Sequence, residues 1–326
     1  MSLARILAAA LMLLGSPTAA QTVPYEASNA PLPDTDTPLD QMELQEDAVS
    51  RLTAAVHVSG TGPFRFLVDT GSNKTVISRD LAARLGLPSG KPVRMHSMTG
   101  QSVVPTALVA SIVLGGQQLS ISNAPLLDPR NMGADGILGL DSLRSQRLVF
   151  DFRAPSLAIV PATQPTLVEE KDTIVVRAKR RAGRLIVTNA QADNVPLQLV
   201  VDTGAELSVG NEALRRALLR GRNLLDPAGR AALYSVDGGR LVGDQMVLAE
   251  LEFGGVTLQN LTIVFADAHT SRQLRLNRKP ALLLGMNGMR AFDTVSIDFA
   301  KKRLRLKVSE IDGARTADRR NQRRTD

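Results

Sequence analysis

The sequence predicts an all-β fold built as two pseudo-symmetric lobes in one chain, each lobe with a short helix. Three observations lead there. The chain has 326 residues, which suits two domains at about 100–200 residues each. Each half opens on a strand–turn–strand pattern, and the same order of elements returns about 133 positions later. Apolar residues make up 44% and aromatics only 3%, with no Trp, so the core must be built from Val, Leu, Ile and Ala.

From the N-terminus, Arg5 is followed by an apolar run over residues 6–14 and then by Gly15, Ser16, Pro17, Thr18, Ala19 and Ala20. This predicts a secretory signal peptide over residues 1–20, because the run is well short of the roughly 20 residues that a spanning helix needs. A periplasmic or secreted protein is expected, with no stable membrane insertion after signal cleavage. Residues 21–47 hold four prolines and seven acids without Lys or Arg, the composition of a solvated linker. The first lobe is assigned to 48–156 and the second to 173–309. Between them, 157–172 reads as a linker, marked by Pro161, Pro165 and the charged Glu169, Glu170 and Lys171. Residues 310–326 form a basic tail. The formal net charge is +7, and residues 301–326 alone supply ten Lys/Arg against four acids. No nucleic-acid motif accompanies them, so no nucleic-acid partner is expected and the tail reads as solvated.

The repeat is specific. Ala55-Val56-His57-Val58, a turn at Gly60-Thr61-Gly62 and Phe64 to Val68 correspond to Leu185-Ile186-Val187, a polar turn and Leu197 to Val201. Both second strands run into Asp-Thr-Gly, as Asp69-Thr70-Gly71-Ser72 and Asp202-Thr203-Gly204-Ala205, 133 positions apart. Thr75-Val76-Ile77 and Ser208-Val209 follow, then short helices capped by Ser78 and Asn211. Glycine-tipped hairpins come next, near Ser97-Met98-Thr99-Gly100 and Ser235-Val236-Asp237-Gly238-Gly239. The halves close on Ile137-Leu138-Gly139-Leu140-Asp141 and Leu283-Leu284-Gly285-Met286-Asn287, leading to Val149-Phe150-Asp151-Phe152 and Ser296-Ile297-Asp298-Phe299.

The chemistry follows from the doubled Asp-Thr-Gly. If the halves face each other about a pseudo-twofold axis, Asp69 and Asp202 meet, the glycines permit close backbone approach, and Thr70 and Thr203 can bond across to the opposite loop. Two carboxyls at short range cannot both ionise, so the pair shares one proton. That supplies a base for water and an acid for a carbonyl, and peptide hydrolysis then needs no metal or other cofactor. The chain has no Cys, which removes disulfides, thiolate metal sites and cysteine nucleophiles. His57, His96 and His269 are not spaced as metal ligands and read as packing or surface residues. A hydroxyl donated by Ser72 would favour the ionised form of Asp69, whereas Ala205 offers Asp202 no such bond. Asp69 is therefore the expected base and Asp202 the carrier of the proton.

These residues resemble the aspartic proteases, and among them the retropepsin-like single-chain enzymes exported by bacteria. The resemblance spans roughly residues 50–308 and rests on the doubled Asp-Thr-Gly and the doubled apolar-apolar-Gly segment. It is similar to pepsin in length and in Asp135 to Leu140, but lacks a Trp after Asp-Thr-Gly-Ser, a first-flap tyrosine and any cysteine. The resemblance implies closed β-barrel lobes and Asp69 and Asp202 as catalytic residues. It implies loops shaped by Gly71 and Gly204, with Thr70, Ser72, Thr203 and Ala205 beside the carboxyls. It makes Ser97, Met98, Thr99 and Gly100, and Val236, Asp237 and Gly238, flap candidates that close over a peptide held as an extended strand. Both halves lie in one chain, so a monomer is expected. The implied function is an endopeptidase acting on exported or periplasm-facing proteins. The alternative is a catalytically silent peptide-binding module of the same fold, whose mark would be a lost aspartate; neither is lost.

Overall fold

Side chains that alternate between core and solvent build both lobes from hairpins. In the computed structural model, Leu52–Val58 buries Ala54, Val56 and Val58 while Ala55 and His57 face outward. It pairs antiparallel with Thr61–Val68, as Arg184–Ala192 pairs with Val195–Val201. The turns are tighter than the sequence suggested. Ser59 and Gly60 (φ 49° and 80°) make the first, and Asp193 and Asn194 (φ 44° and 66°) the second. Both central residues lie in the left-handed region that a two-residue hairpin requires, and Gly, Asn and Asp tolerate it best. The structure describes residues 21–24, 41–43, 45–46, 52–114, 116–119, 121, 123–163, 173–221 and 226–308. The signal segment, most of the acidic linker, residues 164–172 and the basic tail lie outside the described residues.

The apolar-apolar-Gly segments explain how each lobe is locked. Gly136–Leu138 lies parallel to Thr61–Val68, with Leu138 opposite Val68, and antiparallel to Val76–Ser78. Ala281–Leu284 lies in the same way beside Val195–Val201 and Ser208–Gly210. Each is thus wedged between the strand that enters an Asp-Thr-Gly loop and the strand that leaves it. In the second lobe the long hairpin Arg240–Phe253 and Val256–Phe265 reaches both Arg184–Ala192 and Ser208–Gly210, so the pairings run in a complete circuit. In the first lobe the corresponding chain is divided into Gln101–Leu108, Ile112–Leu114, Gln117–Leu119 and Asn123–Leu127. Ile112–Leu114 still pairs with Leu52–Val58, and Asn123–Leu127 with Val76–Ser78.

A six-stranded sheet joins the halves. Its order is Thr173–Arg177, Arg303–Lys307, Thr294–Asp298, Gln146–Asp151, Ser156–Pro161, Gln41–Glu43. At its centre Gln146–Asp151 runs antiparallel to Thr294–Asp298, pairing Val149 with Ser296 and Phe150 with Val295. The two segments that end the sequence repeats are therefore hydrogen-bonded to each other. Leu148, Phe150, Val295 and Ile297 are buried beneath them.

The chain is mostly strand, as the repeat predicts, but three details differ from the sequence reading. Among the described residues each lobe carries three short helices instead of one: Arg79–Arg84, Pro129–Met132 and Leu140–Leu143, then Glu212–Arg220, His269–Gln273 and Met286–Met289. Pro129–Met132 has a local cause in the Asp128 cap and the proline at its first turn. Within 21–47, Gln21–Pro24, Gln41–Glu43 and Gln45–Glu46 are edge strands rather than solvated chain. Ser156–Pro161 is likewise a strand and not linker. Exposed sheet edges offer unpaired N–H and C=O groups that such passing segments satisfy, a pull that composition does not register.

Phe150 is fully buried in the strand where the halves join. Phe150→Ala should cost about 3–5 kcal/mol of stability in urea unfolding.

Candidate active site

Two loops meet between the lobes, and hydrogen bonds fix each at both ends. The Asp69 N–H donates to Leu138 O at 3.1 Å and the Asp202 N–H to Leu284 O at 3.0 Å. Beyond the glycines, Leu140 N donates to Ser72 O at 2.9 Å and Met286 N to Ala205 O at 2.8 Å. Thr75 Oγ1 accepts from Gly139 N and Ser208 Oγ from Gly285 N, both at 3.1 Å. Asp141 Oδ1 and Asn287 Oδ1 in turn accept those hydroxyls, each at 2.8 Å. A Cβ on Gly139 would overlap the Lys74 backbone, and one on Gly285 would overlap that of Leu207. Close backbone approach is thus the reason for the repeated glycine after two apolar residues.

The loops are also tied to each other. Thr70 N donates to Thr203 Oγ1 at 3.0 Å, and Thr203 N to Thr70 Oγ1 at 3.1 Å. The hydroxyls pass on across the interface, Thr70 to Val201 O at 3.1 Å and Thr203 to Val68 O at 2.6 Å. Both threonines are buried, where an unmade bond is costly. A Cβ on Gly71 would overlap the Asp202 carboxyl, and one on Gly204 the Asp69 carboxyl. Each loop's glycine therefore sits against the other lobe's acid.

The carboxyls of Asp69 and Asp202 are half-buried, each set against the other loop's glycine and close enough to act on the other's ionisation. Asp69 Oδ1 accepts two backbone donors, Gly71 N at 2.7 Å and Ser72 N at 2.9 Å, whereas among the described residues Asp202 Oδ1 accepts one, Gly204 N at 2.9 Å. Lost hydration and then the charge of Asp69 push Asp202 up to about 7. Asp69 is also raised by lost hydration, but the Gly71 N–H, Arg184 and the Ser72 N–H oppose the rise. The hydroxyl bond that the sequence reading gave Asp69 is not the one formed. The Ser72 hydroxyl donates to Lys74 O at 2.8 Å, not to Asp69, so the extra donor is the Ser72 backbone N–H.

A cavity of about 480 Å³ opens over the pair. Of the flap candidates, Ser97, Met98, Val236 and Gly238 line it, while Thr99, Gly100 and Asp237 do not. Those three shape and join the turns. Gly100 O accepts Ser97 N at 2.9 Å, and Thr99 Oγ1 donates to Asp237 Oδ1 at 3.5 Å. Burial works to raise the Asp237 carboxyl, but hydroxyls of Ser235 and Ser97 hold it below its ordinary range. Among the described residues no group of three or more His, Cys, Asp or Glu is arranged to hold a metal ion.

Two features escaped the sequence reading. His96 Nδ1 and His269 Nε2 lie 2.9 Å apart with stacked rings, and His269 N donates to Met98 O at 2.8 Å. The first hairpin is thereby tied to the second lobe; 173 residues separate the two histidines, and no local spacing announces them. Arg184, buried at the start of Arg184–Ala192, donates Nε to Gly71 O at 2.8 Å, and Nη2 donates to the same oxygen. Its signal was present, because the 133-residue offset of the aspartates also relates Arg184 to Arg51, itself outside the described residues.

The sequence profile of a family described as "Aspartyl protease" matches residues 53–142 and, a second time, residues 188–287. No curated protein matches the chain.

Because Asp202 takes up its proton more readily folded than unfolded, its contribution to stability is present at low pH and lost as pH rises from about 4 through about 7. Asp202→Asn removes that loss. The melting temperature of the variant minus that of the wild type should therefore increase over that range, as read by calorimetry.

Proposed function

The chain belongs to the aspartyl protease family, the two matches together spanning more than half of it, and from that premise we propose that it is an endopeptidase in which Asp69 and Asp202 are the catalytic residues. The observation that carries this reading is the pair itself: two carboxyls from equivalent loops, each set against the other's glycine and lining one cleft, with one of them pushed up to about 7. Such a pair holds one proton across mildly acidic pH.

The monoanion runs both halves of the reaction. Asp69, favoured as the anion by two backbone N–H donors, takes a proton from a water molecule as its oxygen attacks the scissile carbonyl carbon. Asp202 gives its proton to the carbonyl oxygen, leaving a neutral gem-diol. Asp69 then passes its proton to the amide nitrogen, the C–N bond breaks, and Asp202 recovers a proton from one hydroxyl of the diol. A carboxylic acid and an amine leave, and the pair returns to its starting charge.

The substrate is read as a polypeptide held in extended form beneath the two hairpins, where strand-like backbone bonds suit any sequence and side-chain pockets select. Val200, Leu233, Leu274, Leu276 and Leu283 contribute apolar wall to the cavity, which favours hydrophobic residues beside the cut. The signal-like residues 1–20 support action on exported or periplasm-facing proteins. Both aspartates come from one chain, which supports a working monomer.

Cleavage of a diverse peptide library between about pH 3 and pH 8 tests the proposal. Asp69→Asn and Asp202→Asn should each lower the rate at least about a thousandfold, and a statine-type peptide should block the wild type. A folded wild type that cuts nothing, or asparagine variants that cut as well as it does, would overturn the reading.

A further inference from the structure

Arg184 is an expensive residue to bury. It is 6% exposed, and its Nη1 has no hydrogen-bond partner among the described residues, which is costly for a buried cation. Its other two nitrogens leave the second lobe and converge on one oxygen in the first, the Gly71 carbonyl. That carbonyl and the Ser72 N–H are the two ends of a single peptide group, and the Ser72 N–H is the second donor to Asp69 Oδ1, at 2.9 Å. A cation fixed at the carbonyl end polarises the group and strengthens donation at the other end. Arg184 also lines the cavity beside both aspartates. The largest charge effects on the two carboxyls come from each other and from Arg184; His96, Arg130 and Glu206 also line the cavity.

We propose that Arg184 is a positioning residue for the hydrolysis: acting through the Gly71–Ser72 peptide, and by its charge beside the pair, it keeps the anion on Asp69 and sets the pH range in which the shared proton is held. The inference rests on the two aspartates being the catalytic pair. It goes further in assigning the asymmetry between two nearly equivalent loops to a residue outside both. Lost hydration lowers the affinity of Arg184 for its own proton, while the charges of Asp202 and Asp69 oppose that, as mutual support between the three groups requires.

The test uses Arg184→Met, Arg184→Gln and Arg184→Lys in the full chain. Without the cation, both limbs of the pH–rate profile should move up by about one pH unit or more. At about pH 5, kcat should fall roughly tenfold with KM within about twofold. Lysine, which restores charge without the fork, should bring the limbs part of the way back. A readout independent of turnover covers weak activity and a methionine variant that does not fold. Because the cation stabilises the ionised carboxyls, the melting temperature of the wild type minus that of Arg184→Gln should widen as pH rises from about 4 to about 7. Unmoved limbs in an active variant, or a melting-temperature loss that is the same at every pH, would overturn the role of Arg184 while leaving the assignment of the pair intact. Full activity in Asp69→Asn would instead remove the reading on which the inference rests.

Discussion

Two carboxyl groups pressed close together resist carrying charge at the same time, and most of what is distinctive in this chain serves to hold Asp69 and Asp202 near each other. Left to themselves, the acids would separate into water. The threonine network prevents it by joining the loops through four bonds at buried positions. The glycines bring each loop against the opposite acid. The apolar-apolar-Gly strands brace the loops from behind, and the central pairing of Gln146–Asp151 with Thr294–Asp298 holds the lobes in register. These contacts lie on both sides of the lobe boundary, so the site exists only where the two halves meet.

Symmetry brings the acids together, and departures from it make them differ. The Asp-Thr-Gly backbones are near copies, yet Asp69 receives two N–H donors and Asp202 one. A single additional bond to a charged acceptor, worth about 1.5–3 kcal/mol, is enough to decide where a shared proton rests. The hairpins are also unequal. The first carries the His96 contact and the Met98 carbonyl that engage the second lobe, while the second rests Gly238 against Asn131 of the first. Each lobe thus contributes to roofing the other's acid.

What the sequence revealed, and what it hid, follows from the range of the interactions. Asp-Thr-Gly and the apolar-apolar-Gly segments were legible because each letter answers a local demand: a strand end, a hydroxyl, or a backbone with no room for a Cβ. Ser78 and Asn211 as helix caps were legible for the same reason. The Ser72 hydroxyl was misread because its choice between Asp69 and Lys74 O depends on how the chain turns after the loop. Arg184 and the histidine pair act over 113 and 173 residues and depend on how the lobes dock. The strands within 21–47 were hidden by a composition that resembles a linker, because they pair with the edges of sheets built elsewhere in the chain.

The proposed hydrolysis depends on one proton shared by two acids. Carboxyl ¹³C titration of aspartate-labelled protein reads it directly, with Asp69→Asn and Asp202→Asn used to assign the two resonances. The two carboxyls should titrate in separate steps, one of them near about 7, and in Asp69→Asn the remaining Asp202 should titrate lower because its charged neighbour is gone. Two carboxyls titrating independently near the ordinary aspartate value of 3.8 would contradict the account.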